Sequence, residues 1–371
     1  MKKININNLL FYVSIFFIIS YSYLSNVIFL SGVLKYFRIV YILFITLSII
    51  LNKDVFEKKS FFRYICIISI SIACLITSTN SSIFIFLLFL LGSRKINFYH
   101  FIKVDFLIKL LLLLFVIFLY KLDFTNPYIM LRPNGLIRSS IGFSHPNFFS
   151  AVILNLVLDF IYLKFDKNKV LTITLLLLSN YLQYIVTDSR TTTVLLLFLT
   201  IILLLKDTTF SNIIYNNKIF KFLIKNSYWI LFIISIICVL FYIDNNQLII
   251  EFDKLLSNRI YWGKVFYNKY PINLFGNDIT MIGTRLAHLQ NINMLQLDMG
   301  YLNILYFYGV FGVVFYGLVF SRIIKENYEN SIFVIVFIIF MLYGFTEASF
   351  FKLVINPFIL ALGKNKQLKK E

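Results

Sequence analysis

This sequence predicts an all-α polytopic membrane protein with about 11–12 transmembrane helices and two larger extracytoplasmic loops, and three observations predict it. First, 60% of the 371 residues are hydrophobic and 19% are aromatic, with a mean hydropathy of +0.84; a soluble globular chain has roughly 45–50% apolar residues. Second, the apolar residues come in continuous runs, such as LLLLLFVIFLY from Leu110 to Tyr120, without the period-two alternation of a barrel strand. Third, the lysines and arginines fall between these runs rather than along one soluble face.

Taken in order, the runs predict spans over Leu9–Leu30, Tyr36–Leu51, Tyr64–Ser78, Ile83–Gly92, Val104–Tyr120, Phe148–Leu163, Val170–Thr187, Thr191–Leu205, Tyr228–Ile243, Tyr301–Phe320 and Ile332–Phe345. A twelfth, Phe350–Leu362, is interrupted by Lys352 and Pro357. The apolar stretch after Met1-Lys2-Lys3 runs on without a small-residue cleavage site, so it reads as an uncleaved first span. With the N-terminus in the cytoplasm, 22 of the 35 basic residues lie in cytoplasmic segments, as loop charge bias requires. The whole chain, 1–371, is then one membrane domain, with extracytoplasmic loops at about 121–147 and 244–300.

The formal net charge of +18 does not indicate nucleic acid, because the charges are spread over loops. Cys66, Cys74 and Cys238 all sit in apolar runs without a CxxC pair, and read as small core residues. No Walker-type or glycine-rich phosphate fingerprint appears in the cytoplasmic loops. There is no DxD pair and no His/Glu cluster at metal-ligand spacing, so neither a metal nor another cofactor is expected.

Polar chemistry gathers on the other side. The segment LRPNGLIRSSIGFSHPN, ending at Asn147, carries Arg138 and His145 directly before an apolar run. Ser144 or His145 can cap that helix, Pro146 suits its first turn, and the exposed amides there favour an anion. Farther on, Asn180, Gln183 and Thr187 share a helical face leading to Arg190, which reads as a stripe turned to protein or water. In Asp244–Tyr270 a single helical wheel places Arg259 among Phe252, Leu255, Leu256, Trp262 and Phe266, with Asp253 and Asn258 turned away. A guanidinium in that setting needs an anionic partner, unless it snorkels to lipid headgroups. Asp298 either caps the tenth span or accepts a proton from a sugar hydroxyl. Arginines stay charged and match phosphate oxygens with a planar fork, so the set suits a lipid-attached phosphate or pyrophosphate.

These residues resemble the O-antigen polymerase and ligase superfamily, especially the Wzy-type polysaccharide polymerases. The likeness rests on Arg138-Ser139-Ser140-Ile141-Gly142-Phe143-Ser144-His145-Pro146-Asn147, on Ser189-Arg190, and on Ser257-Asn258-Arg259 with Trp262 and Pro271…Gly276-Asn277. Asp298-Met299-Gly300-Tyr301 and Gly309 complete it. It extends from about Asp123 to Gly312, while the first four spans match in hydropathy only. It implies a GT-C-type membrane glycosyltransferase of capsule or exopolysaccharide synthesis, joining undecaprenyl-pyrophosphate-linked oligosaccharide units outside the cytoplasmic membrane. A flippase and a chain-length regulator would be its partners, besides membrane lipids. It also implies that Arg190 and Arg259 hold the donor pyrophosphate and that Arg138, His145 and Asn147 shape the adjoining pocket, His145 being a candidate catalytic group. Trp262 and Tyr301 join the substrate contacts, and Asp298 is the base with His288 in reserve. Asn258 departs from the glycine that many relatives have there. Ligases usually carry histidine where this chain has Asp298. A ligase-like transfer to another acceptor, or a lipid-linked oligosaccharide flippase, are the alternative readings.

Overall fold

Hydrocarbon offers no partner to a peptide group, so apolar runs satisfy their N–H and C=O groups by coiling on themselves. The computed structural model follows that rule, and about 75% of the described residues are helical. It describes residues 6–27, 31–52, 58–125, 129–131, 135, 137–208, 217–242, 246–284, 287 and 290–362. Among the described residues are fourteen α-helices. In chain order they are α1 (Ile6–Ser25), α2 (Ser31–Ile50), α3 (Lys58–Ser78), α4 (Ser82–Gly92), α5 (Phe98–Lys121), α6 (Pro146–Lys164) and α7 (Lys169–Thr187). The second half holds α8 (Arg190–Leu205), α9 (Lys218–Lys225), α10 (Ser227–Leu240), α11 (Gln247–Leu255), α12 (Arg259–Lys269), α13 (Gly300–Asn327) and α14 (Ser331–Gly344).

Four of these, α1, α6, α7 and α13, are long and apolar enough to cross a membrane, and α9 with α10 makes a fifth candidate bent by 71°. The outward faces of α7 and α8 present Leu177, Tyr181, Ile185, Val194, Phe198 and Ile201 bare, the apolar exterior of a membrane-embedded bundle. Inside, α13 and α14 form the most enclosed layer, with Tyr301, Tyr308, Tyr316, Phe320, Phe337 and Phe340 fully buried. The charges at Asp105, Lys109 and Asp159, within α5 and α6, are buried too. Lys109 pairs with Asp105 one turn away, and Asn155 donates to Asp159 at 3.3 Å.

Two expectations are corrected. The region Asp244–Tyr270 is two helices, because Ser257 and Asn258 both take left-handed backbone, at φ 61° and 60°. Asparagine is one of the few side chains that tolerate that region, so it can serve where a glycine would otherwise be needed. The polar stripe of α7, expected to face protein or water, faces protein. Gln183 donates to Thr193 at 2.8 Å and accepts from Thr192 at 2.8 Å, and Thr187 meets Ser150 at 2.8 Å, so the stripe joins α7 to α8 and α6. The stretch from Phe350 to Leu362 is not a helix. It holds two 3-10 turns, Ala348–Phe351 and Pro357–Leu360. Phe350 packs on Tyr301 at one end of the bundle, and Phe358 packs on Phe98 and Phe333 at the other. This irregular segment therefore runs through the interior, where protein can shield its backbone.

The helix α13 is itself broken, at Gly309 (φ 68°, ψ −167°). There the N–H groups of Val310 and Phe311 leave the helical ladder and donate to the carbonyls of Asn273 and Leu274, each at 3.1 Å. Asn277 N donates back to Tyr306 O at 2.9 Å. The Pro271–Asn277 turn is thus wedged into the break, and a Cβ at Gly309 would collide with both accepting residues. Gly309→Ala is expected to lower the thermal midpoint of the purified protein, with a loss of about 2–4 kcal/mol from strain and displaced backbone. An unchanged midpoint in a detergent melt would show that the wedge is dispensable.

Candidate functional site

The cavity forms where α6, α8, α12 and α13 all begin, so the positive ends of four helices point toward one space. It encloses about 180 Å³ and is lined by Met130, Arg138, His145, Asn147, Ser189, Arg190, Thr191, Ser257, Arg259, Trp262, Thr284, Met294, Gln296 and Asp298. Of the residues singled out in the sequence, Arg138, His145, Asn147, Arg190, Arg259, Trp262 and Asp298 meet here. Tyr301 does not. It is fully buried, and its hydroxyl donates to the Met341 carbonyl at 2.8 Å; that bond fastens α13 to α14. His288 lies outside the described residues.

Each side chain has a local cause for its place. In GFSHPN, Gly142 takes φ 83° and lies so close to α5 that a Cβ would sit 3.1 Å from Val116 and Tyr120. Phe143 is buried against Tyr23, Phe148 and Phe149, and Ser144 bonds Asn26 through both backbone and side chain. The chain is thereby fixed for His145 to cap α6, its Nδ1 accepting from Asn147 N at 3.1 Å. Arg138, on a short β-hairpin (β1 Met130–Leu131, β2 Ile137–Arg138), donates from Nε to the Thr187 carbonyl at 2.6 Å and from Nη2 to Asn147 Oδ1 at 2.7 Å. It thus closes the negative end of α7.

Arg259 is set by a residue that the helical wheel had turned away. Asp253 is buried and accepts from Ile260 N at 2.7 Å and Tyr261 N at 2.9 Å. It caps α12 across the Ser257-Asn258 bend and fixes the first side chain of that helix. Arg259 donates from Nη1 to Thr191 Oγ1 at 2.9 Å, and Nη2 is ion-paired with Glu347. Asn147 Nδ2 also donates to Glu347 Oε1, at 3.3 Å.

Glu347 is the residue that sequence reasoning missed. Its signal was a lone carboxylate just after an apolar run, in GFTEASF, and such a residue warrants attention by default. Arg190 is exposed and, among the described residues, its hydrogen bond goes to the Lys254 carbonyl at 3.5 Å, so its fork is held loosely. Asp298 does not cap α13, whose N-cap is Met299; it accepts from Gln296 Nε2 at 2.6 Å. Trp262 stands edge-on to Tyr261, 5.5 Å between centroids, and presents an amphipathic plane to the cavity.

Three arginines against Asp298 and Glu347 leave one surplus positive charge. Burial pushes His145 down to about 4, and Arg138 and Arg259 reinforce this while Asp298 opposes it. The imidazole is therefore neutral at physiological pH, with Nδ1 occupied by the cap, so Nε2–H serves as a hydrogen-bond donor. Burial pushes the Glu347 carboxyl up to about 7, with Asp298 adding to this and Arg259 and Arg138 opposing it. For Arg259, burial works against the charge, but Glu347 and Asp298 outweigh it and hold the guanidinium above its ordinary range.

No protein-family model, curated protein or solved structure matches the chain.

Because His145 is neutral in the fold and titrates near 6.5 when unfolded, its contribution is complete above that pH and disappears as pH falls toward about 4. His145→Asn keeps a capping side chain without a titrating ring. The melting difference between wild type and this variant is expected to shrink as pH falls from about 6.5 to 4. A difference independent of pH in that window would contradict the assignment.

Proposed function

We propose that this chain is a membrane glycosyltransferase of the polysaccharide-polymerase kind, with a GT-C-type architecture, acting on undecaprenyl-pyrophosphate-linked oligosaccharide at the outer face of the cytoplasmic membrane. The observation that carries the reading is the convergence of Arg138, Arg190 and Arg259 with Asp298 and Trp262 on one cavity at the start of four helices. Three fixed positive charges beside a carboxylate and an aromatic plane suit a sugar diphosphate donor and a hydroxyl acceptor.

In the proposed step the acceptor hydroxyl attacks the anomeric carbon of the donor sugar. The carbon–oxygen bond to the lipid diphosphate breaks with inversion, and the proton passes to Asp298. Asp298 Oδ1 is occupied by Gln296, which leaves Oδ2 for the hydroxyl. Arg259, anchored by Thr191 and Glu347, meets the diphosphate in a fixed orientation, while the loosely held Arg190 closes on it. The His145 Nε2–H adds a neutral donor to the departing oxygens. In this reading arginines carry the leaving-group charge, so turnover persists in EDTA.

The flippase alternative requires charges lining a water-filled path through the spans. Lys109, Asp105 and Asp159 are fully buried and engaged with one another or with Asn155, which does not support such a path. Polymerase and ligase differ only in acceptor, and the product separates them: a lengthened lipid-linked chain, or glycan moved to another acceptor.

With purified protein and lipid-linked repeat units, Arg259→Ala and Arg190→Ala are each expected to cut the rate by roughly 10²–10³-fold, as loss of an oxyanion donor does elsewhere. Asp298→Asn should lower kcat with little change in KM. Full polymer from both arginine variants would sink the reading. Orientation has its own check: Ser144→Cys and Asn258→Cys should react with an impermeant thiol reagent added outside intact cells. Reaction only after the cytosol is opened would reverse the topology.

A further inference from the structure

The end of the bundle opposite the cavity carries charge of another kind. The helix α13 starts beside Asp298 and, past its break at Gly309, ends near Tyr328. The helix α10 ends with Val239 against Gly263 of α12, near the cavity, and at its other end it is preceded by the amphipathic helix α9, turned by 71°. In KIFKFLIK, Lys218, Lys221 and Lys225 fall within roughly one-sixth of the helix circumference at about 100° per residue. Ile219, Phe220, Leu223 and Ile224 occupy the opposite side, and none of the eight residues is buried.

Elsewhere at this end, several charges are matched. Lys169 pairs with Asp207, Lys206 with Asp166 and Arg322 with Glu326. Around α9 they are not. The ammonium groups of Lys221 and Lys225 both stand 5.2 Å from the centre of the Tyr328 ring, and Lys225 is repelled by Lys221 and Lys325. Among the described residues no carboxylate pairs with Lys218, Lys221, Lys225 or Lys325. Glu326 is engaged with Arg322, and Glu329 is the other acidic residue nearby in sequence. Like charges gathered on an aromatic ring, beside uncovered Ile219, Phe220 and Leu223 at 68%, 42% and 42% exposure, call for a partner that is anionic and apolar at once.

We propose that α9 and the end of α13 form a binding site for an anionic phospholipid. Its phosphate is held among Lys221, Lys225 and Lys325, and the apolar face of α9 rests among acyl chains. A phospholipid fits better than an acidic protein because charge and grease lie on opposite faces of a helix turned sharply from the span it precedes. The site is independent of the cavity and of any activity there.

The test uses the full chain purified in neutral detergent and offered equal amounts of phosphatidylglycerol and phosphatidylcholine, with retained lipid read by native mass spectrometry. Wild type should retain phosphatidylglycerol preferentially. The variant Lys221→Gln/Lys225→Gln/Lys325→Gln should lose that preference by about tenfold or more, since each lysine near an anionic surface is worth roughly fivefold. Arginine at all three positions should restore it, and Lys169→Gln/Lys206→Gln should leave it intact. Should the triple glutamine variant fail to fold, salt is the second measure: about 0.5 M sodium chloride should strip the lipid from wild type. Equal retention of both lipids by wild type, retention by a folded glutamine variant, or indifference to salt would overturn the proposal. So would displacement of the lysines' preference by polyglutamate without any lipid selectivity, which would assign them to a protein partner.

Discussion

A guanidinium set into a wall of aromatic and aliphatic side chains needs a counter-charge, and for Arg259 that counter-charge is Glu347. The pair does more than neutralise itself. Through Asn147 it reaches the start of α6, and through Arg138 it reaches the last carbonyl of α7. Through Thr191 it reaches the first turn of α8. Four stretches far apart in sequence, 138–147, 187–191, Arg259 and Glu347, are thereby held around one small space. Their mutual placement is set by directional polar bonds rather than by packing alone, because packing in hydrocarbon discriminates little between one apolar neighbour and another.

The two ends of the bundle handle positive charge by different means. At the cavity, arginines are oriented by carboxylates, helix carbonyls and hydroxyls, so each fork has a defined direction. At the far end, lysines on flexible stems gather on Tyr328 without such partners. The contrast follows from side-chain chemistry, since arginine is suited to fixed geometry and lysine to a diffuse field.

Much of this was legible in the sequence, for identifiable reasons. Apolar runs mark helices because the hydrocarbon leaves the backbone no alternative, and Arg138, His145, Asn147, Arg190, Arg259 and Asp298 stood out because charge is rare in such a chain. The errors came where tertiary partners decide. A helical wheel could not show that Ser257 and Asn258 bend the chain, so Asp253 was set on the wrong side. For Gln183 and Thr187 the sequence left water and a neighbouring helix equally open, because polarity alone does not distinguish them. Tyr301 was adjacent in sequence to Asp298 but turns into the core. Glu347 was passed over because its partners lie 88 and 200 positions away.

The irregular stretch after Glu347 bears on biogenesis. Peptide groups of that kind cannot be released sideways into lipid as a helix can, and Asn356, whose side chain donates to the Phe350 carbonyl at 2.9 Å, would be stranded there. The slot that receives the stretch is walled by α5, α13 and α14, all made earlier by the ribosome. The backbone of the stretch is therefore shielded only once α5, α13 and α14 have packed around it, so its seating waits on theirs.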